Sequence, residues 1–123
     1  MTLQTLTPAL VELIHDRVLN AGELPGRALD KSLEGALSRV DNRLAYGLVA
    51  DAFDLAAHTA EAIAQGHCFN DGNKRTAHQS MDACLALNGI EISWSGTAVA
   101  DKIILLAQSK LSAEDLAAWL RDQ

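Results

Sequence analysis

His67-Cys68-Phe69-Asn70-Asp71-Gly72-Asn73-Lys74-Arg75-Thr76-Ala77-His78 is the stretch on which the reading of this chain turns. It crowds a histidine, a carboxylate, an amide, a flexible glycine and two cations around one turn, and apolar segments with helical spacing flank it on both sides. A junction between two core helices has little structural need for so many polar groups. The arrangement points to a site that handles phosphate.

The chemistry follows from the position of the turn. A helix is predicted to begin at Asp71 or just after it, with Asp71 as N-cap. The first N–H groups of a helix have no partner within it, and the helix dipole is positive at that end, so anions bind there. Asn73 and Lys74 fall in this first turn, and Gly72 lets a phosphate approach the backbone closely. Lys74 and Arg75 add charge, and Arg75 can fork two hydrogen bonds to phosphate oxygens. Asp71 is a hard oxygen ligand suited to magnesium bridging nucleotide phosphates, although standing alone it would serve equally as a cap. His67 precedes the turn. A histidine titrates near neutrality and can accept the proton of an attacking hydroxyl. Phe69 is expected to plug the turn into the core. Two other motifs fail on spacing. Gly72-Asn73-Lys74-Arg75-Thr76 lacks the glycine spacing and the Lys-Ser or Lys-Thr pair of a P-loop. His67, Cys68, His78 and Cys84 match no zinc-finger or zinc-ribbon pattern. His15 and His58 have no supporting neighbours in sequence and receive no role.

Outward from the motif, the pattern is helical almost throughout. Thr7-Pro8 is an N-cap followed by proline at the first helical position, with Leu10, Leu13, Ile14 and Val18 at helical spacing. Asp30 is the expected cap of a helix carrying Leu33, Leu37, Val40 and Leu44. A further helix spans about Leu48 to Gln65, with Val49, Phe53, Ala56, Ala60 and Ile63 on one face and Gly66 as its C′ residue. The motif helix runs to Leu87 and stops at Asn88-Gly89. Ile90, Ile92 and Trp94 alternate as a short extended piece. Thr97 to Lys110 is helical with Val99, Ile103 and Leu106 inward, and Ser112 with Asp115 resembles a capping box for a last helix burying Leu116, Trp119 and Leu120. Gly22 to Arg27, with two glycines and a proline, is either a flap or a plain connector.

The 123 residues are most simply one domain, 1–123, with enough chain to bury a core. Hydrophobic residues make up 49 %, yet no apolar run approaches the roughly 20 residues needed to cross a bilayer. The N-terminus has no basic or apolar leader region, and Cys68 and Cys84 make no disulfide framework, so reduced thiols in the cytoplasm are expected. A net charge of −6 argues against broad binding to nucleic acid, which is driven by cations on phosphates. A local basic spot is still available from Lys74 and Arg75, with Arg27, Arg39 and Arg43 as possible additions.

His67-x-Phe69-x-Asp71-Gly72-Asn73-Lys74-Arg75 resembles the signature of Fic-fold proteins, and specifically of the Doc (death-on-curing) toxin branch, which carries lysine where the general Fic pattern has its second glycine. Gly22 to Gly26, Ala45-Tyr46 and the Asn88-Gly89 turn also sit where Doc-like chains have similar elements. The resemblance implies an all-α fold, a compact Fic-type helical bundle with the motif at the N-terminus of a central helix. It implies His67 as catalytic base, Asp71 as ligand of Mg2+, and Gly72, Asn73, Lys74 and Arg75 as the phosphate-binding residues. Fic enzymes with the second glycine transfer AMP from ATP to a protein hydroxyl; in Doc the lysine alters the anion pocket and the γ-phosphate is transferred instead. The expected function is therefore a kinase toxin of a toxin–antitoxin pair, with elongation factor Tu as target and a Phd-like antitoxin as partner. AMP transfer is the alternative, and a catalytically silent binding module a third reading. The second arginine of the general pattern falls at His78, which further disfavours AMP transfer. Self-restraining Fic enzymes carry Ser/Thr-x-x-x-Glu-Gly/Asn; here Glu34-Gly35 has Asp30 at the position of the hydroxyl residue, so inhibition is expected to come from a partner.

Overall fold

A computed structural model describes residues 2–123 as six helices: α1 (Pro8–Val18), α2 (Leu33–Ala45), α3 (Ala52–Gly66), α4 (Asn73–Leu87), α5 (Gly96–Ala107) and α6 (Ala113–Arg121). The expected all-α architecture holds. The one β-type contact among the described residues is an isolated antiparallel bridge between Arg27 and Phe69. No described helix is long and apolar enough to cross a membrane.

Helix α3 is the hub, packed against α2, α4, α5 and α6. Its sequence explains why. Leu55, Ala56, Ala57, Ala60, Ile63 and Ala64 are all buried, so the apolar surface extends around most of the helix rather than along one stripe. Its alanines leave room for neighbouring backbones to approach, and helix separation depends on the side chains at the contact. Helix α1 lies across α4 and touches α2. The motif joins α3 to α4, the most extensively packed pair, so its turn is anchored at both ends by core helices.

Helix starts follow local capping chemistry, with two corrections. Thr7, Ser32, Asp51, Ser95 and Ser112 each accept a hydrogen bond from the backbone N–H three residues on, at 2.9–3.2 Å. Ser32, not Asp30, therefore caps α2; both residue types can cap, and the helix begins after the second. Asp71 does not cap α4. That helix opens at Gly72, in left-handed backbone with φ 77°, and has no side-chain cap. The helix C-caps bring a third correction. Gly66 is the last residue of α3, and His67 takes the left-handed C-cap position itself, with φ 49° and ψ 42°.

On α2, α3, α5 and α6 the expected residues Leu37, Ile63, Ile103 and Leu116 enter the core, while Leu44, Phe53 and Trp119 are only partly buried and Val49 precedes α3. Helix α1 differs. Val11 and His15 are its buried residues, and Leu13 is half exposed. Apolar residues at positions 10, 11, 13, 14 and 18 spread around the helix and leave its inward face undetermined; the contacts of His15 described below settle it. Ile90 to Trp94 has no strand partner among the described residues and stays irregular.

Candidate active site

The turn between α3 and α4 lines a cavity of about 330 Å³ together with Glu23, Ala64, His67, Asn70, Asp71, Gly72, Asn73, Lys74 and Arg75. Every residue expected to carry chemistry is brought to this one space. The first N–H groups of α4 border it, and no side chain caps them. An added Cβ on Gly72 would meet the Arg75 guanidinium at 3.3 Å and Leu19 at 3.5 Å, in a backbone conformation that L side chains rarely adopt. The positive φ is what favours glycine here, and the tight approach to the Arg75 side chain adds to it.

Each expected site residue has a definite setting. His67 is exposed, and its ring accepts or donates no hydrogen bond to any described residue. Its left-handed backbone is sparsely populated for a non-glycine residue, a type of strain that collects at functional sites. Asp71 turns its carboxylate away from the helix it was expected to cap. Its Oδ2 accepts from the Leu24 N–H at 2.7 Å, 47 residues away in sequence. The Asn73 side chain is engaged with Phe69, accepting from its N–H at 3.1 Å and donating to its carbonyl at 2.9 Å. Asn73 thus offers the cavity its backbone N–H, while its amide staples the turn. Lys74 is exposed on the cavity rim and has no carboxylate partner among the described residues. Arg75 is committed: its guanidinium pairs with Glu23, and its Nε donates to the Val18 carbonyl at 3.2 Å. The Arg75 hydrogen bond holds the Glu23 carboxyl below the usual carboxylate range.

The Gly22–Arg27 segment resolves as a strap fixed along the motif. Besides the Leu24 contact, Asn70 N–H donates to the Gly26 carbonyl at 3.1 Å, Ala28 N–H to Cys68 at 2.9 Å, and the Asn70 amide to Pro25 at 3.0 Å. Arg27 is held in a fork by Glu34 and by Glu12 and does not line this cavity. Arg39 and Arg43 also lie elsewhere. They line a larger concavity of about 580 Å³ between α2 and α3, with His58, Glu61 and Tyr46. No residue of α4 borders that space, and two of its polar side chains are turned to carboxylates: Arg43 lies 3.6 Å from Glu114, and His58 lies 3.5 Å from Glu114 and 3.7 Å from Glu61. The uncapped helix end and the unpaired histidine converge in the smaller cavity instead. His78 faces Asp82 at 3.6 Å rather than the cavity.

Two contributors escaped the sequence reading. Glu23 sits in the Gly/Pro segment, and its carboxylate partner role to Arg75 spans 52 residues. His15 is 1 % exposed, stacks on Phe69 and reaches the Asp71 carbonyl at 2.7 Å. Its position four residues after Val11, on what becomes the buried face, was the available signal.

A turn of this composition, between two buried helices of an all-helical fold, defines a Fic-type protein, and the chain belongs to the Fic/DOC family, whose model matches residues 5–85. A curated relative, "Protein kinase doc" of Escherichia phage P1, is 33 % identical over 117 residues, which cover 94 % of this chain and 92 % of that protein.

Proposed function

We propose that this protein is the toxin of a toxin–antitoxin pair and a protein kinase that moves the γ-phosphate of ATP to a serine or threonine hydroxyl. One observation carries the reading: the uncapped N-terminus of α4 opens into a cavity shared by a free His67, the Asp71 carboxylate and an unpaired Lys74. The similarity to a phage protein kinase supports the same chemistry.

The roles follow from the geometry. The N–H groups of Asn73 and Lys74 and the positive end of the helix dipole hold phosphate oxygens, and the Lys74 ammonium neutralises part of their charge. His67 accepts the proton of the incoming hydroxyl while that oxygen bonds to the γ-phosphorus and the bridging oxygen leaves with ADP. Asp71 fits a magnesium site of the kind that takes one carboxylate and completes its shell with phosphate oxygens and water. Its Oδ1 accepts no hydrogen bond from a described residue, and no cluster of three or more His, Cys, Asp or Glu gathers among the described residues to suit a metal held by protein alone. Magnesium there would screen the charge on the phosphates.

Lys74 lining the cavity and His78 turned towards Asp82 both support γ-phosphoryl over AMP transfer. Glu34, the one candidate for an internal inhibitory glutamate, is bound to Arg27 and does not border the cavity. That supports inhibition by a separate Phd-like antitoxin, ordered on the toxin by coupled folding, in the cytoplasm. Elongation factor Tu is the proposed target. Incubated with magnesium, ATP and purified elongation factor Tu, the protein should add one phosphoryl mass to the factor. An unmodified factor, with the protein folded and ATP bound, would remove this target.

A further inference from the structure

His15 is a polar ring in the core, 1 % exposed, and nothing in the chemistry above uses it. Its ring lies flat on Phe69, with centroids 3.9 Å apart and planes 8° from parallel. Its Nε2 is 2.7 Å from the backbone carbonyl of Asp71. A carbonyl only accepts, so Nε2 carries the proton. The other nitrogen, Nδ1, is 3.8 Å from the exposed Asp16 carboxylate, beyond hydrogen-bond range. Nε2 also stands 3.7 Å from the place a Cβ on Gly72 would occupy. One side chain from α1 thus touches two motif residues, Phe69 and Asp71, 54 and 56 positions away in sequence, and lies beside the open side of Gly72.

The consequences are geometric. A peptide unit is planar, so fixing the Asp71 carbonyl fixes the following Gly72 N–H as well. On its other side, the Asp71 carboxylate is held by Leu24 N–H. Between these two contacts the aspartate has one orientation, and the first free N–H groups of α4 follow directly after it. Phenylalanine could stack on Phe69 but would leave the carbonyl unpaired. Glutamine could reach the carbonyl with a donor but has no ring face to stack. Histidine supplies both.

We propose that His15 is a positioning residue, which through Nε2–H to the Asp71 carbonyl and its stack on Phe69 aligns the Asp71 carboxylate and the opening of α4 for a magnesium nucleotide. What the turn is aligned to do rests on the kinase reading; the alignment itself does not.

The test begins with ring nitrogen NMR of the wild-type protein. The account expects His15 with a proton on Nε2 and with that resonance shifting when magnesium and ADP are added together. A ring protonated on Nδ1 alone, or a resonance that ignores saturating magnesium and ADP, overturns it, and neither readout depends on a variant folding or on turnover. His15→Phe should fold, need more magnesium for half-maximal binding of ADP, and lose ~10–100-fold in kcat/KM for ATP, as supports of metal ligands typically do. His15→Gln, which keeps the donor, should lie nearer to wild type in its magnesium requirement. A folded His15→Phe with wild-type magnesium dependence and rate would overturn the proposal. Wild-type protein that transfers no phosphate would remove the kinase reading, while the two NMR results would still decide the role of His15.

Discussion

His67 presents an unpaired ring to solvent from a strained, left-handed backbone, in a cavity where every neighbouring residue except Lys74 is tied down. That contrast supports the proposed role of His67 as the reacting group. Replacing His67 with alanine should lower the rate of transfer by ~10²–10⁴-fold while leaving nucleotide affinity largely intact, because the ring touches no structural partner. Equal rates for the variant and the wild type in a transfer assay would strip His67 of the base role. The two cysteines behave in the opposite way. Both are free and buried, and burial pushes the Cys84 thiol up to about 11 and raises that of Cys68 as well. Thiolate is the reactive form, so neither should react with a thiol reagent at neutral pH until the protein unfolds. Fast labelling of the native protein would contradict this burial.

At the scale of elements, helix ends join the fold together. Asp51 caps α3 and is gripped by Arg121 at the end of α6, with contacts of 2.8 and 3.0 Å. The Arg121 guanidinium holds the Asp51 carboxyl below its ordinary value of 3.8. A lowered folded-state value means the charge contributes stability fully above 3.8 and loses it as pH falls through the lower, folded-state value. Asp51→Asn keeps the cap but not the charge. Its stability deficit, measured by denaturant unfolding, should be constant near neutrality and close in acid; a deficit as wide in strong acid as at neutrality would contradict the linkage. Asp51→Ala should lose the cap as well, at ~1 kcal/mol. The helices themselves were legible in the sequence, since periodicity and capping are local. The contacts that choose between equivalent local options were not. Asp30 and Ser32 are both competent caps, and Asp71 is diverted from capping by a backbone N–H 47 residues distant. Likewise α1 has apolar residues around its circumference, and a histidine contact to the motif picks its buried face.

For the whole molecule, the sequence motif was enough to bring its residues to one cavity, while the wiring around it was hidden. His67, Asp71, Gly72, Asn73, Lys74 and Arg75 do share one cavity, because a contiguous stretch at a helix start can hardly do otherwise. Their partners come from α1 and the strap after it: His15, Val18, Glu23 and Leu24. Arg27, Arg39 and Arg43 were candidates for the same basic spot, and pairing with Glu12 and Glu34 or placement on the α2–α3 face removes them. What remains lining the cavity without a side-chain partner is a helix end, one lysine and one histidine. The proposed kinase reading makes a definite claim about which phosphorus atom is attacked. The most direct measurement is a pair of otherwise identical reactions with magnesium and ATP labelled at either the γ or the α position, followed by counting label on protein. The account predicts label on protein from γ-labelled ATP alone, abolished by His67→Ala. Label arriving efficiently from the α position would contradict it and establish AMP transfer in its place.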